Sequence, residues 1–258
     1  MKNAPLDDDT RRAIVHASGL IRANGATPGR AEFPRADGGR GTVTREVDMI
    51  EDEPVPTDAP LVTQVSRWDP LKDPVGVMSA FAERARSHDD GAHLVLAGPA
   101  ADGVGDDPEG AKTLDEVRQA WQDLDAPARR RIHLASLPME DQEENAAIVN
   151  ALQRSADIVV QKSLVEGFGL TVAEAMWKSR PVIASRVGGI QDQIVDGENG
   201  ILVDPTDFHR FQEAITELLD DRHEAEQLGA AAHQQVCDHF LPANHFEDER
   251  ELLDRILT

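Results

Sequence analysis

The chain has a single cysteine, Cys237, no tyrosine, and aromatic residues at only 4% of its length. One cysteine excludes an intramolecular disulfide and fits a reducing compartment, so a cytoplasmic protein is expected. Long apolar runs are also missing. Nothing approaches the about eighteen consecutive apolar residues of a membrane span, and the opening MKNAPLDDDTRR has no apolar stretch of a secretory signal. Neither a membrane nor a nucleic-acid partner is expected. Five of the 26 basic residues are lysines, which leaves 21 arginines, and 48 acids set the formal net charge at -22. Such a surface repels phosphate backbones and resists aggregation. A site that grips an anion must therefore be a local basic exception. Walker loops, H-E-x-x-H and an ordered Ser-His-Asp set are absent as well.

What is present is 258 residues with 40% hydrophobic side chains, enough for a sizeable core. From Leu61 the texture alternates between short apolar runs and amphipathic stretches. LVTQVS (61–66), HLVLAG (93–98), RIHLAS (131–136), DIVVQ (157–161), PVIAS (181–185) and GILV (200–203) predict strands. Between them, 75–87, 113–124, 145–156 and 171–178 have helical spacing, and 208–221, 224–240 and 246–257 predict closing helices. The alternation predicts an α/β fold, a Rossmann-like parallel sheet with helices on both faces. Residues 1–60 differ, being rich in Gly, Ala, Arg and Pro and then acidic and proline-broken. They predict one short helix in a largely irregular lead that need not form a core, with a domain over 61–258.

In open parallel sheets, ligands sit beyond the carboxyl ends of the strands. SRWDPLKDP follows the first predicted strand and offers Arg67 and Lys72 beside a helix start. That pair suits a diphosphate, and two ordinary surface cations would give the same pattern. KSLVEGFGLTVAEAMWK follows the fourth. Gly167 and Gly169 let backbone amides approach a ligand, and a helix opening near Leu170 or Thr171 directs free N–H groups at an anion. Thr171 and Glu174 also match a capping box that needs no ligand. Glu166 beside an anion site makes electrostatic sense if a hydroxylated ligand is bound there. Gly188 and Gly189, after PVIAS, permit either a ligand contact or a tight turn. Gly103 and Gly105 are read as loop punctuation, and 196–200 as turns. His93 and His133 predict packed strand residues, Trp68, Trp121 and Trp177 core or groove wall, and His233 with Cys237 lacks a full metal ligand set.

Taken together, Arg67 and Lys72, Glu166 and Glu174 as E-x7-E, PVIASRVGG, and GENGILVDPTD resemble the carboxyl-terminal, donor-binding half of GT-B retaining glycosyltransferases of family 4, the glycosyl transferase group 1 enzymes. Coverage runs from about Leu61 to the end. TQVSRWDPLKDP, NALQRSADIVVQKSLVEGFGLTVAEAMWK and VGGIQDQIVDGENG look most like the family's trehalose synthases of the glycosyltransferring type, and trehalose phosphorylases and sucrose-phosphate synthases are near in pattern. The resemblance implies transfer of glucose, with retention, from a nucleoside-diphosphate-glucose to a sugar acceptor, free glucose, without metal or cofactor. It implies that Arg67 and Lys72 hold the diphosphate with the backbone of Gly167, Phe168, Gly169, Leu170 and Thr171. Glu166 would address the transferred sugar and Glu174 the ribose, with Leu137 and Pro138 near the base. Arg67, Lys72 and Glu166 would be the catalytic residues. Acceptor-binding residues have no matching positions in 1–60, so a separate acceptor-domain chain or a homo-oligomer is an expected partner, and a non-catalytic nucleotide-sugar-binding module or remnant is the alternative.

Overall fold

The computed structural model describes residues 2–22, 29–100 and 107–241. The predicted 246–257 helix and the Gly103–Gly105 loop lie outside the described residues. The framework is a seven-stranded sheet made of β3 (Asp48–Ile50), β4 (Leu61–Val65), β5 (His93–Pro99), β6 (Ile132–Leu137), β7 (Ile158–Gln161), β8 (Val182–Ser185) and β9 (Ile201–Val203). Their order across the sheet is β3-β6-β5-β4-β7-β8-β9, and only β3 runs antiparallel to its neighbour. A small hairpin, β1 (Glu32–Pro34) with β2 (Arg40–Thr42), forms a separate two-stranded sheet.

All six predicted strands form, because each short apolar run is buried on both faces. Successive side chains point to opposite faces. One set, including Val62, Leu94, Leu96, Ile158 and Ile183, meets α2 (Pro74–Ser87), α3 (Pro108–Gln122) and α8 (Phe208–Asp220). The alternate set contacts two groups of helices. Leu61, Val95 and Ala135 meet α1 (Asp8–Ala17) and α5 (Gln142–Ser155), while Val159, Val182 and Ala184 meet α6 (Leu170–Trp177) and α9 (Arg222–His239). Two short helices, α4 (Ala126–Arg129) and α7 (Ile190–Gln193), complete the described α-helices. Phe81 on α2 and Phe211 on α8 are fully buried, each contributing roughly 1.5–3 kcal/mol from burial.

The first sixty residues differ from expectation. The short helix is there, starting at an Asp7 cap that accepts the Thr10 amide at 2.7 Å. The segment does build core, however: Ile14, Val15, Leu20, Phe33, Val43, Val47 and Val55 are buried in the layer shared with α5. β3 was hidden in the acidic VDMIEDE stretch because three residues carry too little periodicity, and its pairing with β6 is a long-range contact. Among the described residues, no helix is long and apolar enough to cross a membrane.

Candidate functional site: the crevice above β4 and β7

The chain leaves β4, builds outward through β5 and β6, then returns to place β7 on the other side of β4. The strand order reverses between β4 and β7, and that reversal opens a crevice beyond their carboxyl ends. The two loops that follow these strands meet there. After β4, the Asp69 carboxylate accepts the Leu71 amide at 2.8 Å and starts a 3-10 turn, Pro70–Lys72. After β7, residue 164 docks on that turn, its N–H donating to the Leu71 carbonyl at 2.8 Å. The docking brings the Lys72 ammonium onto a Glu166 carboxylate oxygen. Glu166 also accepts the Ser163 hydroxyl at 3.4 Å and its neighbour's amide, Gly167 N–H, at 3.1 Å. Both charged side chains are mostly covered, at 16% and 13% exposure, so their mutual attraction is less screened than a surface pair's.

Helix α6 begins just past this pair. Its N-cap is Gly169 at φ +85°, in the left-handed region that suits glycine, and no side chain caps it. Val172 N–H turns back to the Gly169 carbonyl at 2.9 Å, which leaves the Leu170 and Thr171 amides to solvent or to a ligand. The Thr171–Glu174 capping box does not form: Thr171 lies inside the helix, and its hydroxyl donates to Gln161 Oε1 at 2.9 Å. A side chain at Gly167 would meet no atom within 4 Å, so the loop is open on that side. Of the two expected purposes of the glycine pair, the structure shows the tight turn: Gly188 and Gly189 are its central residues, with Ile190 N–H donating to the Val187 carbonyl at 3.3 Å. Gly188, at φ +49°, lies against the Glu166 backbone, where an added Cβ would come 1.8 Å from the carbonyl oxygen. Gly189 N–H donates to the Gly167 carbonyl at 2.7 Å, and Gln193 donates its amide to the Phe168 carbonyl. The pair is a backbone bed for the 166–168 loop.

The structure brings Lys72, Ser163, Glu166 and Gly167 together, with Phe168, Gly169, Leu170 and Thr171 leading directly into α6. Arg67 lies on the same β4 loop but is 69% exposed and pairs with Asp69 at 3.0 Å rather than with Glu166. Glu174, one helical turn into α6, is bound by Lys2 at 3.0 Å, while its other oxygen is buried with no hydrogen-bond partner. Leu137 packs into the core at the end of β6, and the Pro138 carbonyl accepts the Asn145 amide at 2.9 Å. Around the ion pair, Leu71, Leu164, Val165, Phe168 and Leu170 form an exposed apolar rim.

Sequence reasoning missed Gln64, Asp73, Lys162 and Gln193, which lie beneath these loops. Gln64 is the one with a readable signal, a polar residue inside an apolar strand. It donates to the Lys72 carbonyl at 3.0 Å. The other expectations fall as follows. His93 and His133 are packed residues, hydrogen-bonded at 2.8 Å in the sheet. Trp68 and Trp121 are buried, with indole N–H groups bonded to the Pro99 and Ile132 carbonyls. His233 contacts Cys237 at 3.5 Å and the Trp177 carbonyl at 2.6 Å. Among the described residues, no group of three or more His, Cys, Asp or Glu side chains is arranged to hold a metal ion.

Comparisons with known proteins show the family and the fold. The family model for glycosyl transferases group 1 matches residues 47–235. Trehalose synthase from Pyrococcus horikoshii is 37% identical over 214 residues, 83% of this chain and 48% of the relative. Trehalose synthase from Rubrobacter xylanophilus is 40% identical over 204 residues, 79% of this chain and 45% of the relative. Among solved structures, the C-terminal domain of a glycosyl transferase group 1 family protein from Francisella tularensis superposes with a TM-score of 0.56 at 25% identity. That match covers 73% of this chain and 89% of the domain. The chain spans about half the length of the curated relatives it matches, and the Francisella match places it in the carboxyl-terminal half. The family model spans more than half of the chain, the sheet matches in fold, and the chain belongs to the glycosyl transferases group 1 family, with the GT-B architecture.

Proposed function

We propose that this chain is the donor-binding half of a retaining hexosyltransferase that moves glucose from a nucleoside-diphosphate-glucose to glucose. The observation that carries the reading is the docking of the Lys72 turn on the Glu166 loop beside the uncapped start of α6. That arrangement sets a cation, a hydroxyl-binding carboxylate and open amides at one crevice. The likeness to two trehalose synthases supports glucose at both ends of the transfer.

In this reading the diphosphate lies over the first turn of α6 and draws the Lys72 ammonium from Glu166. Glu166 then accepts hydroxyls of the transferred sugar, and Glu174 those of the ribose, replacing Lys2. As the anomeric bond breaks, negative charge grows on the leaving diphosphate. Lys72 and the helix start stabilise it more in the transition state than in the ground state, with Arg67 swinging in from its exposed position. No carboxylate of this half is assigned as a nucleophile, so retention follows front-face departure and attack, with no metal in the scheme. The acceptor wall is a second domain or partner chain docked on the rim of Leu71, Leu164, Val165, Phe168 and Leu170.

Titration calorimetry with UDP-, ADP-, GDP- and TDP-glucose tests the reading. One nucleotide sugar should bind with one-to-one stoichiometry, and Lys72→Ala should weaken it by about tenfold or more, the loss of a charge-assisted contact. No heat from any of the four at millimolar ligand would overturn it.

A further inference from the structure

A fully buried lysine lies directly under the proposed donor site. Lys162, the first residue after β7, has no exposed side-chain surface, and its ammonium pairs with the Asp73 carboxylate. The same ammonium sits 4.3 Å from the centroid of the Phe208 ring. Lysines are almost never fully buried unless paired, because taking the charge out of water is costly. An apolar side chain would pack this position at less cost, so the charge calls for a reason beyond packing.

Asp73 supplies one. It follows Lys72 immediately, in a left-handed conformation at φ +47°, closing the 3-10 turn and capping α2 through the Gly76 amide at 3.1 Å. Two ion pairs thus link the β4 and β7 loops in two layers, Lys162 with Asp73 below, where the lysine is fully buried, and Lys72 with Glu166 above. Gln64 ties the layers together, accepting the Lys162 amide at 3.4 Å while donating to the Lys72 carbonyl at 3.0 Å. Were Asp73 left without its counter-ion, the nearest cation in sequence would be Lys72 itself. An unpaired carboxylate there would compete with Glu166, and with an incoming diphosphate, for that ammonium.

We propose that Lys162 is a positioning residue for donor binding: by neutralising Asp73 from beneath, it leaves the Lys72 ammonium to Glu166 and to the donor diphosphate. The inference rests on the donor-binding reading for its functional consequence, but its structural core stands without any ligand.

The test uses Lys162→Met, Asp73→Asn and the double variant, with inorganic pyrophosphate and UDP as probes and denaturant unfolding as a separate readout of stability. Lys162→Met should weaken pyrophosphate by about tenfold or more, the loss of a charge-assisted contact. Asp73→Asn takes the paired carboxylate from the buried ammonium, leaving it only the more distant charge of Asp204, and should lower stability, yet leave pyrophosphate affinity within about threefold of the parent. The double variant should recover affinity as well as stability. A merely structural pair predicts instead that both single variants lose affinity in step with stability, and that result overturns the proposal. Should Lys162→Met fail to fold, the Asp73→Asn affinity still decides between the two. A parent chain that binds neither probe would count against the donor-binding reading. The ligand-free crystal structure of Lys162→Met then judges the inference alone: Lys72 turned onto Asp73 supports it, and an intact Lys72–Glu166 pair refutes it.

Discussion

Replacing Gly188 by alanine tests whether the glycine pair shapes the Glu166 loop. The added Cβ would stand 1.8 Å from the Glu166 carbonyl oxygen and 2.8 Å from its carbonyl carbon, and the separation must grow to at least 3.0 Å. Both obstructing atoms are backbone, so neither can rotate away, and the loop must lift. Holding an L-residue at φ +49° adds roughly 1–2 kcal/mol, and forcing the backbones apart adds about 1–3 kcal/mol or more, giving about 2–5 kcal/mol in total. Gly197→Ala is the control: its φ is +78° and nothing lies within 4 Å of the added carbon, so only the conformational cost of roughly 1–2 kcal/mol applies. Urea unfolding of the two variants, with unchanged m-values, reads the difference. Calorimetry should show that Gly188→Ala loses nucleotide-sugar affinity while Gly197→Ala keeps it. Equal destabilisation by the two, or unaltered ligand affinity in Gly188→Ala, would refute the claim that this pair is a bed for the loop.

Other predictions concern the scaffold and the ribose end of the site. In the buried pair, the Glu51 carboxylate can only accept, so His133 donates from Nδ1 at 2.9 Å, and its Nε2 accepts from His93. Burial first, then His133 and Arg131, lower His93 from the ordinary 6.5 to about 4. The unfolded chain therefore binds the extra proton first, and His93 should contribute a loss of roughly 3 kcal/mol as pH drops from 6.5 toward 4, a share of the slope that His93→Gln removes in urea titrations at each pH. Phe211→Ala, which empties a fully buried site between α8 and the sheet, should cost about 3–5 kcal/mol in denaturant unfolding. Glu174→Gln should weaken a nucleoside diphosphate several-fold yet leave pyrophosphate binding unchanged in calorimetry, because the proposed role of that carboxylate is to hold the ribose.

The strands and the outer helices were legible because their signals are local. HLVLAG and PVIAS are short apolar runs bounded by turn residues, and FHRFQEAITELLDD repeats its apolar face at helical spacing. Glu166 and Lys72 were legible as a pattern, though nothing local says that Leu164 would donate to Leu71 and so bring them into contact. That contact depends on the strand order, which places β7 beside β4 across more than ninety residues of intervening chain. The capping box failed for a similar reason. Gly169 in a left-handed conformation caps the helix two residues before Thr171, and Gln161, fixed at the end of β7, claims the Thr171 hydroxyl. Lys162 gave no sign at all, since a lysine in a loop reads as solvated until the fold closes over it. The opening sixty residues misled by composition: Gly, Pro and acids dominate the count, while a sparse set of Ile, Val, Leu and Phe does the packing.

A crystal structure of the chain with its tightest-binding nucleoside diphosphate measures the central claim directly. The account predicts both phosphates over the first turn of α6, within hydrogen-bond reach of the Leu170 and Thr171 amides and of a Lys72 ammonium released from Glu166. A nucleotide seated elsewhere on the molecule, with the Lys72–Glu166 pair undisturbed, would contradict it.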